Sequence, residues 1–188
     1  MAKGVLLIVS GPSGCGKGTV LKYLLENKEY SYSVSATTRN PREGEIHGVS
    51  YFFISREEFE TWLAEGKILE HTLYCDNYYG TPRAFVESQL EKGVNVVLEI
   101  ETEGAANIKA LMPHALSVFI APPSMEDLEK RLVGRGTEDS AVIEKRLNKA
   151  REEMKLASTY DVVIVNEDGA PEKAAAQIHK AVTEKKTV

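Results

Sequence analysis

The sequence has few of the residues and segments that characterise secreted and membrane proteins. Of its 188 residues only two are cysteines, Cys15 and Cys75, which is too few for a disulfide scaffold and is typical of a reducing compartment. No apolar run approaches the roughly 20 residues of a membrane-spanning helix. The apolar run near the N-terminus, residues 5–9, is shorter than the roughly 7–15 apolar residues of a secretory signal. We therefore expect a cytoplasmic protein with no membrane partner.

The sequence also lacks an excess of positive charge. Its 23 lysines and arginines are outnumbered by 28 aspartates and glutamates, so the formal net charge is −5. This argues against a nucleic-acid partner, because a protein that coats nucleic acid needs a basic surface. Net charge does not describe local clusters, so a small phosphorylated ligand is not excluded.

What the sequence does contain is an alternation of buried strands and helices. Continuous apolar runs, which are typical of strands covered on both faces, occupy residues 5–9, 94–100, 116–121 and 162–165. Helical patterns separate these runs, so the sequence predicts an α/β fold with a parallel sheet flanked by helices. A single domain is expected at this length.

Two segments interrupt the alternation. The first contains short runs rich in Thr, Tyr and Phe and one helix that begins after Ser55, and it predicts a small mixed-β insertion. The second is charged and helical, and its first helix begins after Ser124. The approximate divisions are a core of residues 1–31, 82–123 and 160–188, an insertion of residues 32–81, and a helical segment of residues 124–159.

A glycine-rich segment between the first strand and the first helix has the spacing of a phosphate-binding loop. Backbone N–H groups and the helix N-terminus surround the phosphates in such a loop, and Lys17 reaches the β- and γ-phosphates. The candidate ATP-binding residues here are Gly11, Pro12, Ser13, Gly14, Cys15, Gly16, Lys17, Gly18 and Thr19. The alternative is a glycine turn with a solvated lysine.

The strict form of this loop has Ser or Thr directly after the lysine. Here Gly18 follows Lys17, and the hydroxyl comes one residue later at Thr19. Direct ligation of Mg²⁺ by a hydroxyl is therefore in doubt. We expect Mg²⁺ to be held by phosphates and water near Thr19 and Glu99, since this ion keeps much of its hydration. The four histidines have no ligand-like spacing, so no residue is assigned as a metal ligand.

Arginines gather in two further places. Arg39 and Arg42 flank a proline turn and can hold one dianion from two directions, unless they pair with Glu43 and Glu45 in a solvated loop. In the second cluster, Arg131 and Arg135 share one helix face, and Arg146 follows on the next helix. The alternative there is a surface ion pair between Arg131 and Asp127.

These motifs together resemble the guanylate kinase family. The residues that carry the resemblance are 11–17, Ser35-x-Thr37-Thr38-Arg39-x-Pro41-Arg42-x-Gly44-Glu45, Tyr78-Tyr79-Gly80-Thr81, 120–123, Arg131-Leu132-x-x-Arg135-Gly136-Thr137 and 163–166. They span nearly the whole chain in the order and spacing of the family. The block around Arg39 is far more specific than the phosphate loop, which many enzymes share.

The resemblance implies a P-loop NTPase-type core, a GMP-binding insertion and a mobile helical lid. It also implies transfer of the γ-phosphoryl group of ATP to GMP, and to dGMP, with Mg²⁺ as cofactor and a role in purine nucleotide metabolism. By resemblance, Lys17, Arg39, Arg131, Arg135 and Arg146 are catalytic, and Asn166 lies at the adenine site with Arg131 and Arg135. The implied GMP-binding residues are Ser35, Arg39, Arg42, Tyr51, Glu70, Tyr79, Thr81 and Glu101.

The sequence departs from the family at one strand end. The family usually has Asp-x-Gln-Gly where this chain has Glu101-Thr102-Glu103-Gly104, so the roles of Glu101 and Glu103 are open. Glu70 without the resemblance is expected as an outward residue on a short strand. Two other functions stay open, namely a P-loop kinase for a different acceptor and a non-enzymatic interaction module. The oligomeric state, monomer or homodimer, also stays open.

Overall fold

The structure is a computed structural model that describes residues 3–74, 76–134 and 140–186. The predicted catalytic residue Arg135 and one of the two cysteines, Cys75, lie outside the described residues. In chain order the elements are β1 (Leu6–Ser10), α1 (Lys17–Leu25), β2 (Tyr30–Tyr32), β3 (Ala36–Thr37), β4 (Phe52–Phe53), α2 (Arg56–Ala64), β5 (Ile68–Tyr74), β6 (Asn77–Pro82), α3 (Arg83–Glu91), β7 (Asn95–Glu99), α4 (Thr102–Leu111), β8 (Leu116–Ala121), α5 (Met125–Val133), α6 (Ser140–Lys155), β9 (Val162–Val165) and α7 (Pro171–Lys186).

Five parallel strands form the central sheet, in the order β2-β7-β1-β8-β9. Four of them are the apolar runs of the sequence, which confirms the predicted parallel sheet. The fifth, β2, has only three residues and contains no apolar run. It was missed because its place in the sheet comes from pairing with β7 rather than from a local pattern.

Helices cover both faces of this sheet, and β1 shows why its sequence is continuously apolar. Leu7 and Val9 of β1 pack with α1 and α7 on one face. Leu6 and Ile8 pack with α3 and α4 on the other face. Because successive side chains of a strand point in opposite directions, a strand between two helical layers needs apolar residues at every position.

A second, four-stranded sheet has the order β4-β3-β6-β5. Its β3–β4 pair is parallel and its other two pairs are antiparallel, in agreement with the predicted mixed-β character. Helix α2 packs on this sheet through the fully buried Phe59. As predicted, α2 begins after Ser55, whose Oγ accepts a hydrogen bond from the backbone N–H of Glu58 at 3.1 Å.

The charged segment that follows β8 forms helices α5 and α6. They pack against each other around Leu128, Leu132 and Leu147, in a small hydrophobic cluster separate from the core. Such a cluster allows the pair to move relative to the sheet without breaking the main core. Within the described ranges, no helix has the length and apolar character that a membrane crossing requires.

Candidate active site

The phosphate loop lies at the carboxyl edge of the central sheet, between the end of β1 and the start of α1 at Lys17. Its shape requires glycine at two positions. Gly16 has φ +89°, and a Cβ there would lie 2.5 Å from Nδ2 of Asn166. A Cβ on Gly11 would lie 2.2 Å from the carbonyl oxygen of Ile120. The loop therefore packs closely on β8 and on the residue after β9, which leaves its concave side for a ligand.

The side chain of Lys17 reaches back across the loop. Its Nζ donates hydrogen bonds to the carbonyl oxygens of Gly11 at 2.6 Å and Pro12 at 3.1 Å. The neighbouring Cys15 is fully buried. Burial raises the pKa of its thiol more than the nearby Lys17 ammonium lowers it, so the thiol is neutral and fills space beneath the loop.

Residues distant in sequence meet on the outer side of this loop. Arg131 of α5 donates to the carbonyl oxygens of Cys15 at 3.1 Å and Asn166 at 2.9 Å. The side-chain amide of Asn166 also donates to the Cys15 carbonyl, at 2.8 Å. From α6, Arg146 reaches Oγ of Ser13 at 3.4 Å. The structure thus brings three of the predicted ATP-site residues onto one loop.

The carboxylate partner of Arg131 is Asp168, whose Oδ1 accepts from Nε at 3.0 Å. Asp127, the partner considered from the sequence, instead pairs with Lys130 at 3.1 Å and with the hydroxyl of Ser124. Spacing along one helix suggested Asp127. Asp168 lies after β9, so no local pattern could have identified it.

A cavity of about 660 Å³ extends from the phosphate loop to the second sheet. Its lining includes these predicted site residues: Gly11, Ser13, Lys17, Ser35, Tyr51, Glu70, Tyr79, Glu99 and Glu101. Five of the eight predicted GMP-binding residues therefore face the predicted phosphate loop across a single space, whereas Arg39, Arg42 and Thr81 are not among the lining residues. Three lining residues had no signal in the sequence, because they come from β2 and α6: Tyr32, Lys149 and Glu153.

The second-sheet side of the cavity contains a half-buried carboxylate. Oε1 of Glu70 accepts a hydrogen bond from Oγ1 of the buried Thr81 at 3.1 Å. Burial raises the pKa of Glu70, and the bond from Thr81 opposes this only in part. Glu70 is therefore not the outward surface residue that its strand pattern suggested. It offers an acceptor pair to a ligand with two adjacent donors.

Arg39 lies beside the same sheet with its guanidinium held by Glu45. The pair is bidentate, with N–O distances of 2.9 Å and 2.8 Å, and the backbone N–H of Arg42 donates to Glu45 at 2.7 Å. These contacts lower the pKa of Glu45 to about 2. The guanidinium carbon lies 5.4 Å from the centre of the Tyr51 ring, and that ring makes an edge contact with Tyr79.

This pairing matches the alternative considered from the sequence for Arg39, and it also fixes the orientation of the arginine. A guanidinium has five N–H donors, so a bidentate pair leaves donors for a second anion. Arg42 is exposed at the same turn. From the sequence, Glu45 was considered only as an ion-pair partner in a solvated loop and not as a residue that orients Arg39.

The carboxyl end of β7 supplies two further carboxylates to the cavity. Oε2 of Glu99 accepts from the hydroxyl of Tyr32 at 3.3 Å. Oε2 of Glu101 accepts from Nζ of Lys149 at 2.8 Å. Thr19 is exposed in the first turn of α1. In the described ranges, no group of three or more His, Cys, Asp or Glu residues is arranged to hold a metal ion.

Comparisons with known proteins show which family this chain is similar to. Residues 3–185 match the family model described as guanylate kinase. The chain is 55% identical over 167 residues to a guanylate kinase from Clostridioides difficile, covering 88% of this chain and 82% of that protein. It is 52% identical over 168 residues to one from Trichormus variabilis, covering 89% and 84%. The crystal structure of guanylate kinase from Anaplasma phagocytophilum superimposes with a TM-score of 0.75 at 35% identity, covering 100% of this chain and 88% of that one.

Proposed function

This chain belongs to the guanylate kinase family and is an enzyme that phosphorylates GMP to GDP with ATP, and we propose that ATP binds the loop of residues 11–19 while GMP occupies the adjoining cavity. The observation that carries this assignment is the single cavity that connects Lys17 to Glu70. Phosphoryl transfer requires two nucleotides end to end with their charge compensated, and it requires little covalent chemistry from the protein.

The guanine base is read by Glu70, Thr81 and Ser35. Guanine presents the N1–H and N2–H₂ donors on one edge, and an ionised carboxylate can accept from both, whereas adenine lacks this donor pair. Thr81 already orients the Glu70 carboxylate at 3.1 Å. These residues recognise the base and not the sugar, so we also assign dGMP as an acceptor.

The GMP phosphate is held by the guanidinium groups of Arg39 and Arg42 and by the hydroxyls of Tyr51 and Tyr79. The bidentate pair with Glu45 supports this role for Arg39, because it fixes the plane of the guanidinium beside Tyr51. Fixed bidentate donors suit phosphate oxygens better than a mobile ammonium does. Glu101 completes the acceptor site at the end of β7.

The ATP phosphates are bound by the backbone N–H groups of the loop and by Lys17, which exchanges its carbonyl contacts for phosphate oxygens. Arg131, Arg135 and Arg146 add charge compensation from the lid, and Asn166 lies at the adenine end. The contacts of Arg131 and Arg146 with the loop support this assignment. No general base is required, because the attacking group is a phosphate oxygen that is already ionised.

The residues around the loop fit Mg²⁺ bound through the nucleotide. Oxygen donors of Glu99 and Thr19 are nearby, and the described residues form no dedicated cluster of ligands. An ion that keeps its waters and binds phosphates suits such a site. Bound there, Mg²⁺ supplies charge compensation for the phosphoryl group in transfer.

A closed lid also excludes water, which would otherwise accept the phosphoryl group and consume ATP without forming GDP. The low cysteine content, two residues in 188, supports the cytoplasmic location that we propose. Free nucleotides are the only partners that this function requires, and they place the enzyme in purine nucleotide metabolism.

A turnover assay with ATP and Mg²⁺ tests the assignment, with GMP, dGMP, AMP, CMP and UMP as acceptors. We expect turnover with GMP and dGMP and little with the others. Lys17→Ala should lower kcat by at least about a hundredfold, because it removes charge compensation from the transition state. GMP binding by this variant should be nearly unchanged. Preference for another acceptor would refute the role of Glu70, and unchanged turnover in the variant would refute that of Lys17.

A further inference from the structure

An ion pair connects lid helix α6 to the rigid core inside the acceptor cavity. Nζ of Lys149 lies 2.8 Å from Oε2 of Glu101 and 3.9 Å from Oε1 of Glu153. Glu101 is the N-cap residue of α4, directly after β7. Lys149 and Glu153 are one turn apart on α6. All three side chains line the cavity, so this pair spans the junction between the moving and the fixed parts of the site.

Glu153 restricts the position of the lysine. Its side chain is only 11% exposed, and its carboxylate attracts the Lys149 ammonium from one turn further along the same helix. Burial raises the pKa of Glu153, and the field of Lys149 opposes that rise. A lysine between two carboxylates loses much of the freedom of an ordinary surface lysine, so its contact with Glu101 depends on where the lid lies.

Glu101 can serve the lid and the nucleotide together. One carboxylate oxygen, Oε2, takes the Lys149 contact. Within the described part of the chain, the other oxygen, Oε1, accepts no hydrogen bond. An ionised carboxylate has about four acceptor positions, so a donor of bound GMP can use Oε1 while Lys149 keeps Oε2.

The charge of the cavity lining gives Lys149 a second effect, which is to offset the negative charge that an anionic nucleotide meets. The carboxylates among its lining residues are Glu70, Glu99, Glu101, Glu103 and Glu153. Lys17 and Lys149 are the ammonium groups among the same described residues. An anionic nucleotide that enters this cavity meets repulsion from the acids, and a lid that delivers Lys149 to Glu101 reduces it.

We propose that Lys149 is a positioning residue that holds Glu101 in the acceptor site and thereby couples lid closure to GMP binding. The proposal rests on the proposed function, in which Glu101 contacts GMP and the lid covers ATP. Because lid closure then favours both ligands, each nucleotide increases the affinity for the other. The Lys149 and Glu101 side chains are 58% and 77% exposed, so the coupling is modest, about two- to fivefold.

Isothermal titration calorimetry measures this coupling. GMP is titrated with and without an ATP analogue that has an imido group between its β- and γ-phosphorus atoms. In the wild-type protein we expect the analogue to increase GMP affinity. Lys149→Gln and Glu101→Asp should each reduce that increase by about two- to fivefold. The aspartate keeps a carboxylate for GMP but is one methylene too short to reach Lys149. Lys149→Arg should retain the increase.

The controls separate this effect from general damage. Lys145→Gln makes the same charge change at an exposed position of α6 and should leave the coupling unchanged. The double variant Glu101→Asp/Lys149→Gln should lose no more than either single variant, because both changes break one contact. Multiplicative losses would overturn the proposal, as would normal coupling in Lys149→Gln or no coupling in the wild type. If the wild-type protein turned over no GMP, the proposed function itself would fail, which is a different result.

Discussion

At the scale of single residues, the carboxylate that we propose for recognition of guanine is one that the fold makes harder to ionise. Burial in the cavity raises the pKa of Glu70 above its ordinary value of 4.5. Only the ionised form can accept hydrogen bonds from both guanine donors. Affinity for GMP should therefore decrease as the pH falls towards the raised pKa, at a higher pH than an unperturbed glutamate would allow.

Glu70→Gln tests this dependence. The variant presents an amide N–H₂ to the guanine donors, so KM for GMP should rise about 10- to 100-fold, in line with losing a hydrogen bond to a charged group. The acid-side change in KM should also disappear. Titrating KM for GMP between about pH 5 and pH 8 measures both effects. A variant that kept the wild-type pH profile would show that another group is responsible.

Stability should change in the opposite direction from affinity at this residue. A carboxyl whose folded pKa is raised gives its full stabilisation below its unfolded pKa, and that stabilisation is lost as the pH rises through the folded pKa. Glu70→Gln should therefore be at least as stable as the wild type at neutral pH while it binds GMP less tightly. Thermal unfolding of the two proteins at neutral pH checks this sign.

Arg39 depends on a second residue for its geometry. Glu45→Gln should raise KM for GMP by about three- to tenfold with kcat nearly retained, because the bidentate pair that orients Arg39 is lost. Glu43→Gln makes the same charge change at an exposed neighbour and should leave KM unchanged. Steady-state kinetics at varied GMP distinguish the two variants, and equal values of KM would contradict an orienting role.

The ion pair of Arg39 and Glu45 should remain ionised in mildly acidic solution. Because Arg39 and the Arg42 backbone lower the folded pKa of Glu45 to about 2, its contribution to stability is full above the unfolded pKa of 4.5 and decreases progressively as the pH falls from there through about 2. Loss of GMP affinity near pH 5 is therefore not expected from Glu45. This separates its titration from that of Glu70.

At the scale of elements, helix α5, the first helix of the proposed lid, depends on one cap. Oγ of Ser124 accepts from the backbone N–H of Asp127 at 3.0 Å, and its hydroxyl donates to the Asp127 carboxylate at 2.8 Å. Ser124→Ala should destabilise α5 by about 1 kcal/mol, whereas Ser124→Asn keeps an acceptor and should cost less. Amide hydrogen exchange of α5 measures the loss, and equal exchange in both variants would contradict the cap.

The elements differ in how far their sequences define them. Ser55 and Ser124 were identified as helix starts, and both are confirmed, because a cap is formed within four consecutive residues. The four apolar strands were identified because each is a largely apolar run, although Val163 and Val165 of the edge strand β9 are exposed. Strand β2 was missed because three residues carry no period, and its position depends on β7 across the sheet.

At the scale of the whole molecule, an acidic protein places cations around the phosphate loop and beside the second sheet, where the proposed function puts two anionic nucleotides. The net charge is −5, yet Lys17, Arg39 and Arg131 all lie at or beside the site. Ligand binding should therefore stabilise the fold. GMP at 100 times its Kd should add about 2.7 kcal/mol and raise Tm by about 5–10 °C. AMP at the same concentration should cause a much smaller shift. Equal shifts in a thermal melt would contradict selective binding.

By itself, the sequence determined the α/β class and the phosphate loop, and it predicted several residues that line the cavity. Glycine spacing, apolar runs and the block around Arg39 are local patterns, so they can be identified in the sequence without knowledge of the fold. The tertiary structure alone decided that Asp168 pairs with Arg131, that Glu45 orients Arg39, and that Lys149 meets Glu101. The Arg131 and Lys149 contacts join elements far apart in the chain, and in all three the side chains compete for several neighbours. Only the packed geometry settles which partner each one takes.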